Sequence, residues 1–229
     1  MGGRWRVDEQ QAGASDLHAW SVALLAPGGP GPVARAARVL TSTDLAVVLG
    51  SAQPDDHVDR DRAAAAGATV VRRRSGGGAV MVGPGLVVWV DVVVPSDDCL
   101  WTDDVGRAGW WLGEVWSAAL ADVGLPGEVW RATARRSSWS DRVCFAGLAA
   151  GEVTIGGRKV LGVSQRRTRA GALFQCAVPV EWDPAPLVDV LRWPPGDADR
   201  AAAVLAGAAT GIGADRAAPL VAAFLDRLP

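Results

Sequence analysis

The sequence predicts an α+β fold in which a central mixed, largely antiparallel sheet is flanked by helices. Three observations carry this expectation. Residues 86–94, LVVWVDVVV, are an unbroken, mostly β-branched run of the kind that forms a strand buried on both faces. Residues 152–163 read as a hairpin folded on the pair Gly156-Gly157. Alanine-rich helical stretches lie to either side, without the regular strand–helix–strand alternation of a doubly wound sheet.

The elements follow in order. Residues 16–26, DLHAWSVALLA, are expected to form a short helix, stopped by the Pro/Gly segment 27–32. Residues 39–49 hold two apolar runs split by Thr41-Ser42-Thr43-Asp44, the pattern of paired strands. Residues 56–66 read as helix, with Gly67 where a helix end favours a left-handed residue. Val70-Val71 form a strand that feeds the turn Ser75-Gly76-Gly77-Gly78. Within the buried run, Asp91 is expected to be a structural carboxylate paired with an arginine. Thr102-Asp103-Asp104 offers N-cap chemistry for the next helix. In that helix Leu112, Val115, Trp116, Ala119, Leu120 and Val123 recur at core-facing spacing, so Trp110, Trp111 and Trp116 are read as packing. A strand over 172–180 and helices after Trp182, interrupted by Pro194-Pro195-Gly196, complete the chain. The expected organisation is one main domain over 1–182, with 183–229 a helical extension packed on the same domain.

Of the 229 residues 49% are hydrophobic, enough to bury a core, which excludes wholesale disorder. No apolar run reaches the roughly 18–20 residues that span a bilayer, and Met1 to Asp8 is polar, so a cytoplasmic protein without membrane contact is expected. Cys99, Cys144 and Cys176 are too few and too scattered for a disulfide framework or a zinc site, and no metal-ligating residue is expected. Lys159 is the only lysine, against 22 arginines, and asparagine and tyrosine are absent. A guanidinium does not replace an ammonium that must reach a phosphate or a carbonyl oxygen, which singles Lys159 out. Charge is also uneven. Between Arg131 and Arg169 nine basic residues face two acidic ones, +7 within a chain of net charge −2, and Arg72-Arg73-Arg74 forms a second knot. Such clusters suit an anionic ligand. The acidic overall balance argues against a nucleic-acid-binding module.

Two segments carry chemistry. In Arg72-Arg73-Arg74-Ser75-Gly76-Gly77-Gly78-Ala79-Val80 three glycines remove every Cβ from a turn, letting the main chain approach a ligand. No Lys-Ser/Thr follows, so this is not a Walker A loop. In residues 156–167, GGRKVLGVSQRR, the only lysine sits on a strand just after a glycine turn. There it can neutralise negative charge that develops during acyl transfer.

Together, RRRSGGGAV and GRKVLGVSQRRTR, with RVLTSTDLAVVLGSAQP over residues 38–54, resemble the lipoate–protein ligase family across roughly residues 35–180. The resemblance implies the biotin/lipoate ligase catalytic architecture, related to class II synthetases. It also implies covalent attachment of lipoate, or octanoate, to a lysine of a lipoyl carrier domain, with ATP and Mg2+ for a ligase. Carriers of this kind belong to the 2-oxoacid dehydrogenases and the glycine cleavage protein. Lys159 is implied as the catalytic lysine. Arg73, Arg74, Ser75, Gly76, Gly77, Gly78, Ala79, Gly162 and Ser164 are implied in binding the acyl chain and its adenylate.

The chain departs from the family pattern at several points. Met81-Val82-Gly83 stands where ligases continue the glycine motif into His-Asp. Gln175-Cys176 stands where a histidine follows the lysine motif, and there is no Asn-Asp pair. Its histidines, His18 and His57, lie outside both motifs. Cys144-Phe145 resembles instead the cysteine of octanoyltransferases and lipoyl amidotransferases, which pass the acyl group from an acyl-carrier protein through a thioester. A small buried hydrophobe is the competing reading of that cysteine. An inactive scaffold that still binds an acylated partner is the more remote reading of the whole chain.

Overall fold

The computed structural model describes residues 4–26 and 33–229; the expected helix stop at 27–32 lies outside them. Ten strands are described: β1 (Arg6–Ala12), β2 (Ala36–Ser42), β3 (Leu45–Leu49), β4 (Ala68–Arg72), β5 (Val80–Val82), β6 (Val87–Pro95), β7 (Glu128–Val129), β8 (Val153–Ile155), β9 (Arg158–Arg167) and β10 (Gly171–Pro179). Six helices accompany them: α1 (Ala14–Ala23), α2 (Arg60–Ala65), α3 (Trp110–Asp122), α4 (Ala185–Val190), α5 (Ala198–Ala206) and α6 (Ala217–Asp226).

Seven strands form one sheet in the order β1-β2-β6-β10-β9-β8-β7, antiparallel throughout except for the β1–β2 edge. This is the mixed α+β architecture the sequence predicts. The β-branched run occupies the middle as β6, buried along almost its whole length between β2 and β10. On one face α3 and α6 pack through Trp116 and Phe224, whose rings stack at 4.0 Å. A smaller sheet, β4-β3-β5, packs with α2, α4 and α5 through Val47, Leu49, Leu187 and Leu205. The helices beyond residue 183 therefore contribute side chains to both cores.

Three local expectations are corrected. The runs in 39–49 are both strands, but they do not pair: β2 lies in the large sheet and β3 in the small one. Asp44 turns the chain between them, its carboxylate accepting from Ala14 N at 2.7 Å, Ser42 Oγ at 2.9 Å and Thr69 Oγ1 at 3.0 Å. Thr102-Asp103-Asp104 does not cap α3, which starts from Gly109. Asp104 closes its own turn, accepting from Gly106 N at 2.9 Å and, through its carbonyl, from Arg107 and Ala108. Asp91 is fully buried, yet its hydrogen bonds come from Trp89 Nε1 at 2.7 Å and Gln175 Nε2 at 3.4 Å rather than from an arginine. Burial pushes its pKa up to about 6 against those bonds.

Candidate active site

The hairpin that joins β8 to β9 turns on Gly156 and Gly157, both at positive φ (55° and 76°), as a tight two-residue connection requires. It sets Lys159 at the start of β9 with its side chain 3% exposed. The ammonium has three protons and three acceptors: Glu152 Oε1 at 2.7 Å, the Cys144 carbonyl at 2.9 Å and the Gly147 carbonyl at 3.2 Å. It also lies 5.0 Å from the centre of the Phe145 ring. Glu152 in turn accepts from Ala149 N at 2.7 Å and Val163 N at 3.1 Å. The pair thus ties the segment 144–149 to β9. Gly162 leaves room for this arrangement, since a Cβ there would sit 3.4 Å from both Lys159 Cε and Phe145.

The glycine loop is shaped from within by Arg73. Its guanidinium is buried and donates to the carbonyls of Gly76 (2.6 Å), Gly78 (2.9 Å) and Val48 (3.2 Å). Burial lowers its pKa. Gly77 has φ 101°, and a Cβ there would meet the Arg73 guanidinium at 2.7 Å and Cys144 Sγ at 4.0 Å. Ala79 forms a parallel bridge with Val143: Ala79 N donates to the Arg142 carbonyl at 2.7 Å and Cys144 N to the Ala79 carbonyl at 2.9 Å. That bridge fixes the glycine loop against the 142–144 segment, whose Cys144 carbonyl Lys159 holds, and the Ser75–Ser164 hydrogen bond at 2.9 Å joins the two sequence motifs directly.

Two cavities meet here. A narrow apolar pocket is lined by Val48, Val80, Val82, Trp89 and Phe145, with His18 and Gln175 as polar members. A wider polar cleft is lined by Gly76, Gly77, Gly78, Arg135, Arg136 and Lys159. Cys144 and Ser164 line both, marking the junction. Among the expected site residues, Ser75 is buried and bonded to Ser164 at 2.9 Å and to Gln175 Oε1 at 2.7 Å. Arg73 lines the pocket, but its hydrogen bonds go to the loop's carbonyls, and Ala79 is buried in the bridge. Arg74 is exposed and lines neither cavity.

Two residues were not expected from the sequence. Glu152 is the partner of Lys159, and the one available signal was an acid seven positions ahead of the only lysine. His18, on α1, lies against Trp89 with ring centres 4.6 Å apart, and its Nδ1 is 3.2 Å from Gln175 Nε2. No motif marks it, because it reaches the site from 157 residues away. No group of three or more His, Cys, Asp or Glu side chains suited to a metal occurs among the described residues.

A family model described as the lipoyl protein ligase A/B catalytic domain matches residues 28–212. No curated protein matches the sequence. The fold is similar to a bipartite lipoate protein ligase from Thermoplasma acidophilum, studied with its E2 lipoyl domain, at 20% identity and TM-score 0.73 over 99% of this chain and 84% of that one. It is similar as well to a putative lipoate protein ligase from T. acidophilum with bound lipoic acid (20% identity, 99% and 86% covered, TM-score 0.68). A lipoate-protein ligase A bound with ATP gives 21% identity, 99% and 85% covered, and TM-score 0.68.

Proposed function

The chain belongs to the lipoyl protein ligase A/B catalytic-domain family, and from that premise we propose that it is a lipoate–protein ligase that acylates a lysine of a lipoyl carrier domain. The observation that carries this reading is the junction of an apolar pocket with a cationic cleft beside Lys159. A medium-chain acid placed in the pocket puts its carboxyl group at Cys144 and Ser164, where the Lys159 ammonium lies behind the 144–147 turn. To act on substrate, Lys159 exchanges a carbonyl of that turn for an oxygen that gains charge in the transition state, while Glu152 keeps it in place. Arg135 and Arg136 line the cleft where a polyphosphate would lie.

ATP, when bound, supplies the activating group, giving an acyl-adenylate and pyrophosphate. A Mg2+ carried with the phosphates would need only one or two protein carboxylates, and Asp141, on the cleft wall, would offer one. The partners we infer are lipoyl domains of 2-oxoacid dehydrogenases or of glycine cleavage, in the cytoplasm. No helix among the described residues is long and apolar enough to cross a membrane. We take 1–182 as the catalytic domain and 183–229 as its packed extension.

Cys144 supports a second route. Its half-buried thiol lines both cavities, so it stands where the acyl carbon would end. As a thiolate it would attack an acyl-carrier thioester and release the carrier thiol, and the acceptor lysine would then displace the cysteine, without ATP. The two routes separate in one experiment. The protein is incubated with a lipoyl domain and either lipoate with Mg-ATP or octanoyl-carrier protein, and intact mass is read on both proteins. Cys144→Ser retains transfer by the first route and loses it by the second.

A further inference from the structure

We propose that His18 is a specificity-determining residue of the acyl pocket: its Nε2–H selects a medium-chain acid that carries a hydrogen-bond acceptor toward its far end, as the dithiolane sulfurs of lipoate do and the saturated tail of octanoate does not. This rests on reading the apolar pocket as the acyl site.

The argument runs through proton positions. Asp91, which accepts from Trp89, is an acceptor wherever it is ionised, so Gln175 turns its amide nitrogen toward Asp91 Oδ2. Its amide oxygen is then left to accept from Ser75 Oγ at 2.7 Å. The same nitrogen donates to His18 Nδ1 at 3.2 Å. With Nδ1 accepting, a neutral ring carries its proton on Nε2. The ring is neutral at ordinary pH, because burial, with Arg73 nearby, lowers its pKa to about 4. Nε2 has no hydrogen-bond partner among the described residues, although His18 is only 7% exposed. A buried donor left without an acceptor is costly, and such orphans concentrate where a ligand completes the bond.

Location decides which part of a ligand it meets. His18 lines the pocket and not the cleft, whereas Cys144 and Ser164 line both. An acid with its carboxyl group at that junction therefore presents its tail, not its carbonyl, to His18, which argues against a general-base role. Trp89 holds the ring plane and Gln175 holds Nδ1, so the free N–H is fixed in place before any ligand enters.

The test is binding of octanoic acid and lipoic acid to the full chain by calorimetry, in wild type, His18→Leu and His18→Gln. Removing one neutral hydrogen bond is expected to shrink the lipoic-over-octanoic preference by roughly two- to tenfold. Octanoic acid should bind His18→Leu as well as wild type or better. Glutamine, which keeps an N–H near the Nε2 position, should restore much of the preference. It also serves as the better-folded variant if leucine disturbs α1. An identical preference in wild type and in whichever variants fold overturns the assignment of His18. Failure of the wild-type protein to bind either acid overturns the acyl-pocket reading itself, a distinguishable result.

Discussion

Lys159 is held by all three of its protons, and that arrangement yields a stability prediction separate from activity. Lys159→Met leaves Glu152 buried without its cation, which should cost about 3–5 kcal/mol in denaturant unfolding. Glu152→Met added to it should recover only part of that loss, because Ala149 N and Val163 N then lose their acceptor. A single-variant cost below about 1 kcal/mol would contradict a buried pair. Lys159→Arg should reduce transfer at least about a hundredfold, measured as carrier acylation, since a planar guanidinium does not reproduce the ammonium's bonds to Glu152 and the carbonyls of Cys144 and Gly147. Two other buried groups oppose each other in acid. The pKa of His18 is lowered to about 4, so its contribution is lost as pH falls from 6.5 toward 4. That of Asp91 is raised to about 6, so the cost of its charge is relieved as pH falls from 6 toward 3.8. Each is worth at most about 3 kcal/mol. Relative to wild type, His18→Leu should therefore gain stability on acidification from pH 7 to 5, and Asp91→Asn should lose it. Melts across that range check both signs. Lys159 was legible in the sequence because it is unique there. Glu152 and His18 were not, because their partners are set by a hairpin and by a helix docking from the far end of the chain.

At the scale of elements, the motifs work through backbone approach. The Cβ position of Gly78 lies 2.6 Å from Val143 N, against the bridge that joins the loop to 142–144. Gly78→Ala should therefore destabilise the fold by roughly 1–3 kcal/mol and weaken binding of lipoic acid, read by thermal melts and calorimetry. Wild-type stability together with wild-type affinity would count against that close approach. The buried strand β6, the β8–β9 hairpin and the stripe on α3 were legible because each has a periodicity or turn chemistry of its own. The edge strand β1 was not: RVDEQQA has little apolar content, and its pairing with β2 is long-range. The separation of β2 from β3 depends on the bonds Asp44 makes to α1 and β4, which the local sequence does not encode.

Across the whole molecule, the +7 stretch does not gather into one free cationic face. Arg131 pairs with Glu114, Arg135 lies over Trp130, Arg142 bonds to the Arg192 carbonyl, and Arg167 lies over Trp101. DNA and RNA binding should accordingly be weak and salt-sensitive, and undetectable by filter retention at about 0.15 M salt. The family-level architecture was legible because two motifs some eighty residues apart both line the site, joined by the Ser75–Ser164 hydrogen bond. The central claim, that this junction acylates a carrier lysine, is tested most directly by intact mass of a lipoyl domain after incubation with the protein, lipoate and Mg-ATP. The account predicts one lipoyl addition to the domain, dependent on ATP, absent with Lys159→Arg and retained with Cys144→Ser. A domain left unmodified both there and with octanoyl-carrier protein would contradict it.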